Sequence, residues 1–296
     1  MKIIRAEHAG MCFGVRDAID LARETARHHS LTVLGDLVHN EDVVERLRSL
    51  GIRMEREVDG VGTATVMTTA HGVSEKRLAD LRGRGLGVVE STCPLVRVAH
   101  RALKDLVDAG FHPVVVGVRG HVEVRGLVED YPEADVILSA DDVSGLRERV
   151  RYGVVAQTTQ PLERVWRLAD LIRHRFPGAE VKVVDTVCRP TKLRQWDAER
   201  LGRTCELVVV VGGRKSNNTG ELAETCRKGG ARVERVERAE DLRGEWLTGV
   251  QVVGLTAGTS TPDDVLDRVE ERLRELAEAQ QGCVRGDVGS VQVLAR

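Results

Sequence analysis

From end to end the chain alternates short β-branched runs with amphipathic stretches, and this rhythm leaves it few folds to choose from. The runs fall at 2–6, 31–34, 63–68, 87–90, 113–118, 135–138, 153–156, 181–185, 207–211, 232–236 and 250–255. Near-continuous Val, Ile and Leu of this kind suit parallel strands covered on both faces. The stretches between them carry helix start signals. Asn40 precedes Glu41 and Asp42, and Thr261-Pro262-Asp263-Asp264 sets a cap, a proline and two acids in order. Residues 162–176 and 265–279 keep apolar side chains near a 3.6-residue period, with charges opposite. Alternation of strand and helix predicts an α/β protein with parallel sheets. A chain of 296 residues has room for two or three such units.

Composition narrows the function. A net charge of −2 provides no general attraction to nucleic acid or an anionic membrane, and 3% aromatic residues leave few rings for stacking on bases. No apolar run is long enough to cross a bilayer, and residues 1–10 lack the apolar stretch of a secretion signal. The expectation is a cytoplasmic protein without nucleic-acid or membrane partners. In that compartment six cysteines in a chain this size read first as metal ligands, catalytic thiols or buried apolar residues, ahead of disulfides.

Cys12, Cys93 and Cys188 each follow a predicted strand and immediately precede a predicted helix, spaced about one compact α/β unit apart. Pro94 and Pro190 fall in the first helical turns, where proline is tolerated. A cysteine at a helix N-terminus sits in a positive field that favours the thiolate, the form that binds iron. Any one of the three alone reads most simply as a buried structural cysteine; their common context points to a shared site. Cys205, Cys226 and Cys283 lack that context and read as structural or incidental. Three thiolates would leave one iron of a cubane cluster without a protein ligand, since an electron-transfer cubane normally has four. Zinc is the rival metal, although single cysteines so far apart do not resemble the paired spacing of structural zinc sites.

Polar loops near the carboxyl ends of the predicted strands make a second set. They are His39-Asn40, His71-Gly72-Val73-Ser74, Gly120-His121-Val122-Glu123, Gln157-Thr158-Thr159-Gln160, Ser216-Asn217-Asn218-Thr219 and Thr256-Ala257-Gly258-Thr259-Ser260. In open α/β sheets ligands bind at that end, where helix N-termini and loop amides accept anions. No GxxxxGK[ST] sequence is present, which removes the main marker of nucleoside triphosphate hydrolysis. Taken singly, a serine or asparagine before a helix is an ordinary cap.

Together these segments resemble the 4-hydroxy-3-methylbut-2-enyl diphosphate reductase family, iron–sulfur enzymes that close the methylerythritol phosphate route to isoprenoids. The resemblance rests on Gly10-Met11-Cys12-Phe13-Gly14-Val15, His39-Asn40, Ala70-His71-Gly72-Val73-Ser74, Thr92-Cys93-Pro94-Leu95-Val96 and Gly120-His121-Val122-Glu123-Val124. It continues through Gln157-Thr158-Thr159, Cys188 with Thr191 and Arg194-Gln195, the 216–218 loop and Thr256-Ala257-Gly258, in the family's order over about residues 2 to 279.

The resemblance implies three pseudo-threefold-related α/β domains around a central cavity: residues 13–93, 94–189, and 1–12 plus 190–280, followed by a Gly-rich, weakly patterned tail at 281–296, expected to be mobile. It implies a [4Fe–4S] cluster with Cys12, Cys93 and Cys188 as its three ligands and one open iron. It assigns the substrate, a small allylic diphosphate, to His39, His71, His121, Thr158, Thr191, Ser216, Asn217, Asn218 and Ser260. Glu123 matches the acid that delivers protons, with Thr158 and His121 as its catalytic partners, and ferredoxin or flavodoxin is the implied electron donor. The expected activity is reductive dehydroxylation to isopentenyl and dimethylallyl diphosphate.

The chain departs from the family pattern at Val122, at Arg189-Pro190 and at Lys192-Leu193, while Asn217 occupies a position of variable character. These departures leave open a paralogue with the same cluster acting on another small hydroxylated diphosphate. A non-catalytic iron–sulfur sensor, and a zinc-dependent or metal-free α/β enzyme with incidental thiols, are the other readings.

Overall fold

The structure is a computed structural model in which Met1–Gly286 are described, with side chains through Ala279. It is an α/β protein of three four-stranded sheets, every strand pair parallel, with ten α-helices among the described residues.

The sheets share one strand order. The first runs β3-β2-β4-β5, from β2 (Leu31–Leu34), β3 (Arg53–Glu55), β4 (Thr65–Met67) and β5 (Gly87–Val89). The second runs β7-β6-β8-β9, from β6 (His112–Val116), β7 (Asp135–Ile137), β8 (Arg151–Ala156) and β9 (Glu180–Val183). The third repeats it as β11-β10-β12-β1, from β10 (Leu207–Val211), β11 (Arg232–Val236) and β12 (Val252–Ala257), and its outer strand β1 (Lys2–Arg5) comes from the chain's beginning. Register is continuous, as in Val115↔Val155 and Val209↔Leu255.

The central sequence runs form strands that are covered on both faces. In β10 all five residues are fully buried; Leu207, Val209 and Val211 enter one core while Val208 and Val210 enter another. β6 divides likewise, with Val114 and Val116 on one side and Val115 on the other. Burial of each such side chain contributes about 1.5–3 kcal/mol.

The helices α1 (Phe13–His28), α2 (Glu41–Ser49), α3 (Glu75–Gly83), α4 (Pro94–Asp108), α5 (Val122–Val128), α7 (Leu162–Arg175), α8 (Arg189–Thr204), α9 (Asn217–Lys228) and α10 (Asp263–Gly286), with the short α6 (Ala140–Ser144), follow strands in sequence. Asn40 caps α2 by accepting from the Val43 amide at 3.1 Å, and Ser74 caps α3 from Arg77 at 3.1 Å. Their N-termini therefore gather at the carboxyl ends of the strands.

By compactness the chain divides into two units, Met11–Leu193 and the pair Met1–Gly10 with Arg194 onward. The first holds two sheets and the second holds one. Among the described residues no helix is long and apolar enough to cross a membrane. At the C-terminus α10 runs on through Gly286, past the 265–279 pattern and into the expected tail; the rest of that tail lies outside the described residues.

Candidate active site

Within the unit Met11–Leu193 the three singled-out cysteines stand where the sequence puts them. Cys12 and Cys93 are the N-caps of α1 and α4, and Cys188 immediately precedes α8; each is only partly exposed. Gly14 shows how closely two of them approach. A Cβ at that position would lie 2.4 Å from the Cys93 sulfur, so the first turn of the helix that Cys12 opens packs directly on the Cys93 thiol. Cys12 and Glu123 both lie near enough to Cys93 and Cys188 to act on them electrostatically.

The expected helix-field activation is not the dominant effect on these thiols. Burial raises Cys93, opposed by the facing amides of Leu95 and Val96. Burial likewise pushes Cys188 up to about 11, opposed by the hydroxyl and amide of Thr191. Desolvation outweighs the helix N-terminus because the sulfurs are largely removed from water. Such thiols give up their protons only to a strong positive charge, and a metal cluster is one. The donor set fits iron–sulfur chemistry: soft ligands, three of them, on rigid helix starts. Among the described residues no three His, Cys, Asp or Glu are grouped tightly enough for a single metal ion. Cys205 and Cys226 are buried in the apolar core of the other unit.

Glu123 is 1% exposed, in the first turn of α5. Burial raises its pKa to about 7, held back by the backbone and hydroxyl of Thr158. Thr158 ties the acid to Cys188: its amide donates to Glu123 Oε1 at 2.6 Å, and its carbonyl accepts from the Cys188 amide at 3.0 Å. His121 caps α5, its Nδ1 accepting from the Glu123 amide at 3.1 Å.

His39, His71 and His121 come together, with ring centroids 4.4 Å (His39–His71), 5.0 Å (His39–His121) and 5.6 Å (His71–His121) apart. Burial first, then the neighbouring rings, holds His71 well below its usual range; burial and His39 bring His121 down to about 4. Buried His71 Nδ1 has no hydrogen-bond partner. A neutral imidazole cluster of this kind gains most from an anion, which supplies both acceptors and compensating charge.

In the unit formed by Met1–Gly10 and Arg194 onward, Ser216 caps α9, accepting from the Thr219 amide at 3.3 Å, and Asn217 is the first residue of that helix. Asn218 and Ser260 are buried, and Asn218 Nδ2 lacks a partner, as do the hydroxyls of Thr219 and Thr256. A Cβ on Gly258 would lie 2.2 Å from Thr219 Oγ1 and 3.7 Å from Asn218 Nδ2, so the two polar loops abut within this unit.

Several contributors escaped the sequence reading. Gly14 carries no signal for its contact with Cys93. Thr191, which the resemblance places as a cavity hydroxyl near the last cysteine, has its hydroxyl 3.0 Å from the Cys188 sulfur. His100, on α4, stands behind the His71 loop, its buried Nε2 3.0 Å from where a Cβ on Gly72 would be. Its spacing from Val96 and Leu103 places it on the apolar face of α4, the one cue available.

A sequence model for the LytB protein family matches residues 3–274. The chain belongs to the LytB family. LytB relatives match it nearly end to end. The 4-hydroxy-3-methylbut-2-enyl diphosphate reductase of Geobacter sulfurreducens is 38% identical over 286 residues, covering 95% of this chain and 100% of its own. That of Aquifex aeolicus is 35% identical over 284 residues, covering 94% and 98%. A solved structure of (E)-4-hydroxy-3-methyl-but-2-enyl diphosphate reductase, 34% identical, matches with a TM-score of 0.66 over 93% of this chain and 100% of that one. The Plasmodium falciparum reductase, 23% identical, matches with a TM-score of 0.86 over 91% and 87%, and supports the LytB fold.

Proposed function

We infer that this protein is an oxidoreductase that converts (E)-4-hydroxy-3-methylbut-2-enyl diphosphate to isopentenyl and dimethylallyl diphosphate, the terminal step of the non-mevalonate route. The observation that carries the site assignment is Thr158, whose two backbone hydrogen bonds fix a buried, protonatable carboxyl against a cysteine ligand.

A [4Fe–4S] cluster would be held by Cys12, Cys93 and Cys188, with one iron free of protein ligands. When bound, it supplies two electrons singly and a Lewis-acidic iron for the substrate hydroxyl. The reaction consumes two electrons and two protons, breaks the allylic carbon–oxygen bond and releases water. Glu123 holds a proton near neutral pH and delivers it to the departing oxygen. Thr158 fixes the direction of that carboxyl through its amide and orders the substrate alcohol with its hydroxyl. His39, His71 and His121 bind diphosphate oxygens, and His121 also anchors the Glu123 amide. Ser216, Asn217, Asn218 and Ser260 are carried over from the family resemblance as further diphosphate contacts, with Asn218 Nδ2 an available donor. Ferredoxin or flavodoxin is the expected electron donor.

Anaerobic purification with iron, sulfide and zinc assays tests the cluster, and turnover of the hydroxylated diphosphate tests the activity. We expect about four irons and four sulfides per chain and both five-carbon products. Zinc without sulfide would overturn the cluster. A cluster-loaded protein that leaves this substrate untouched would point to a paralogue acting on another diphosphate.

A further inference from the structure

Cys188 and Cys93 differ in what donates to them. At Cys188 a hydroxyl and an amide of one residue, Thr191, converge on the sulfur, the hydroxyl at 3.0 Å. Cys93 faces the amides of Leu95 and Val96. Thr191 is fully buried in the first turn of α8, and the Lys192 amide bonds to the Cys188 carbonyl at 3.1 Å, so the helix start holds the hydroxyl in place. Either partner can donate while the sulfur is a thiol. A metal-bound thiolate has no proton, so the hydroxyl must then be the donor.

We propose that Thr191 sets the reduction potential of the cluster by donating a hydrogen bond to the Cys188 sulfur, instead of serving as a substrate ligand. This rests on the cluster reading above. Adding an electron increases the negative charge on the sulfurs. A donor aimed at one of them stabilises the reduced state more than the oxidised state, and so raises the potential. The effect is large in a site shielded from water, because the low local dielectric strengthens a charge-assisted bond. The hydroxyl acts on Cys188, a donor distinct in kind from the amides that face Cys93. Thr191 is thus a tuning residue that acts through the ligand.

The test is a spectroscopic redox titration of the anaerobically purified holoenzyme alongside Thr191→Val, Thr191→Ala and Thr191→Ser. Valine keeps the shape and loses the hydroxyl, alanine guards against a packing fault introduced by valine, and serine keeps the donor. We expect the midpoint to move to more negative values in the valine and alanine variants and to stay near wild type in the serine variant, with substrate KM changed less than twofold in all three. A midpoint unmoved in both hydroxyl-free variants overturns the proposal. So does an unmoved midpoint with a KM raised tenfold or more, which would return Thr191 to the substrate. Wild-type protein without sulfide would instead defeat the cluster reading itself, a failure the metal assay identifies before any variant is made.

Discussion

At the scale of single residues, Glu123 carries the clearest consequences. A carboxyl moved by burial from 4.5 to about 7 stays protonated where most acids are ionised. In the unfolded chain it loses its proton near 4.5, in the folded chain near 7, so the folded state binds the extra proton between those values. Stability from this group is complete below pH 4.5 and is lost as pH rises through about 7. A shift of that size corresponds to about 3 kcal/mol. Glu123→Gln keeps an oxygen to accept the Thr158 amide and cannot ionise. In the metal-free protein it should gain about 3 kcal/mol relative to wild type between pH 4.5 and 8, read from urea melts at each pH; a constant difference would remove the buried proton. In the holoenzyme the same variant should keep the cluster absorbance and lose nearly all turnover, and undiminished turnover would release Glu123 from its role. The cysteines and Glu123 were legible as residue types at strand-to-helix junctions. What the sequence withheld was their energetics: it suggested thiols activated by the helix field, whereas burial raises Cys93 and Cys188. Desolvation depends on everything packed around a group, and no local pattern reports it.

At the scale of elements, a site of this kind depends on how closely helix starts can approach, and Gly14 marks the close approach of α1 to Cys93. Its missing Cβ leaves room for the Cys93 sulfur and Cβ, which would lie 2.4 and 3.0 Å from the added carbon. Both partners are a helix backbone and a short side chain, so neither can yield by a rotamer change alone. Gly14→Ala should push α1 and α4 apart, cost about 1–3 kcal/mol, and leave the protein folded by circular dichroism but depleted in iron and sulfide after anaerobic reconstitution. Full metal content in that variant would show that the packing on Cys93 is irrelevant to the cluster. Of the twelve strands among the described residues, eleven were legible as β-branched runs; strands buried on both faces, such as β10, are apolar along their length, while β1, β9 and β11 keep apolar residues among charged ones. The twelfth, β3 (Arg53–Glu55), is a three-residue edge strand of two charged residues and a methionine, half-covered, and its pairing with β2 comes from tertiary context. Gly14 was equally silent, since a glycine in a helical first turn has no signature until its neighbour is known.

On the scale of the whole molecule, the repeated strand order hides an asymmetry. Two sheets are built from consecutive strands, while the third borrows β1 from the far end of the sequence and lies in the discontinuous unit. β1 is held by its register against β12, from Lys2↔Val252 to Arg5↔Leu255, and by Arg5 with Asp267 and Glu270 at 2.7 and 2.9 Å. The other strands of this sheet begin at Leu207, more than two hundred residues after β1, a long-range closure that no local pattern could announce. Separate cores predict separate openings. Leu255 is fully buried in the core around β10 and β12, and Leu168 is fully buried in the core around β6 and β8. Each change to alanine should cost about 2–5 kcal/mol locally. By native-state hydrogen exchange, Leu255→Ala should speed the amides of β1, β10, β11 and β12 and leave β6 and β8 near their wild-type rates, while Leu168→Ala should do the reverse. If either variant accelerated all three sheets alike, the chain would open as one cooperative body.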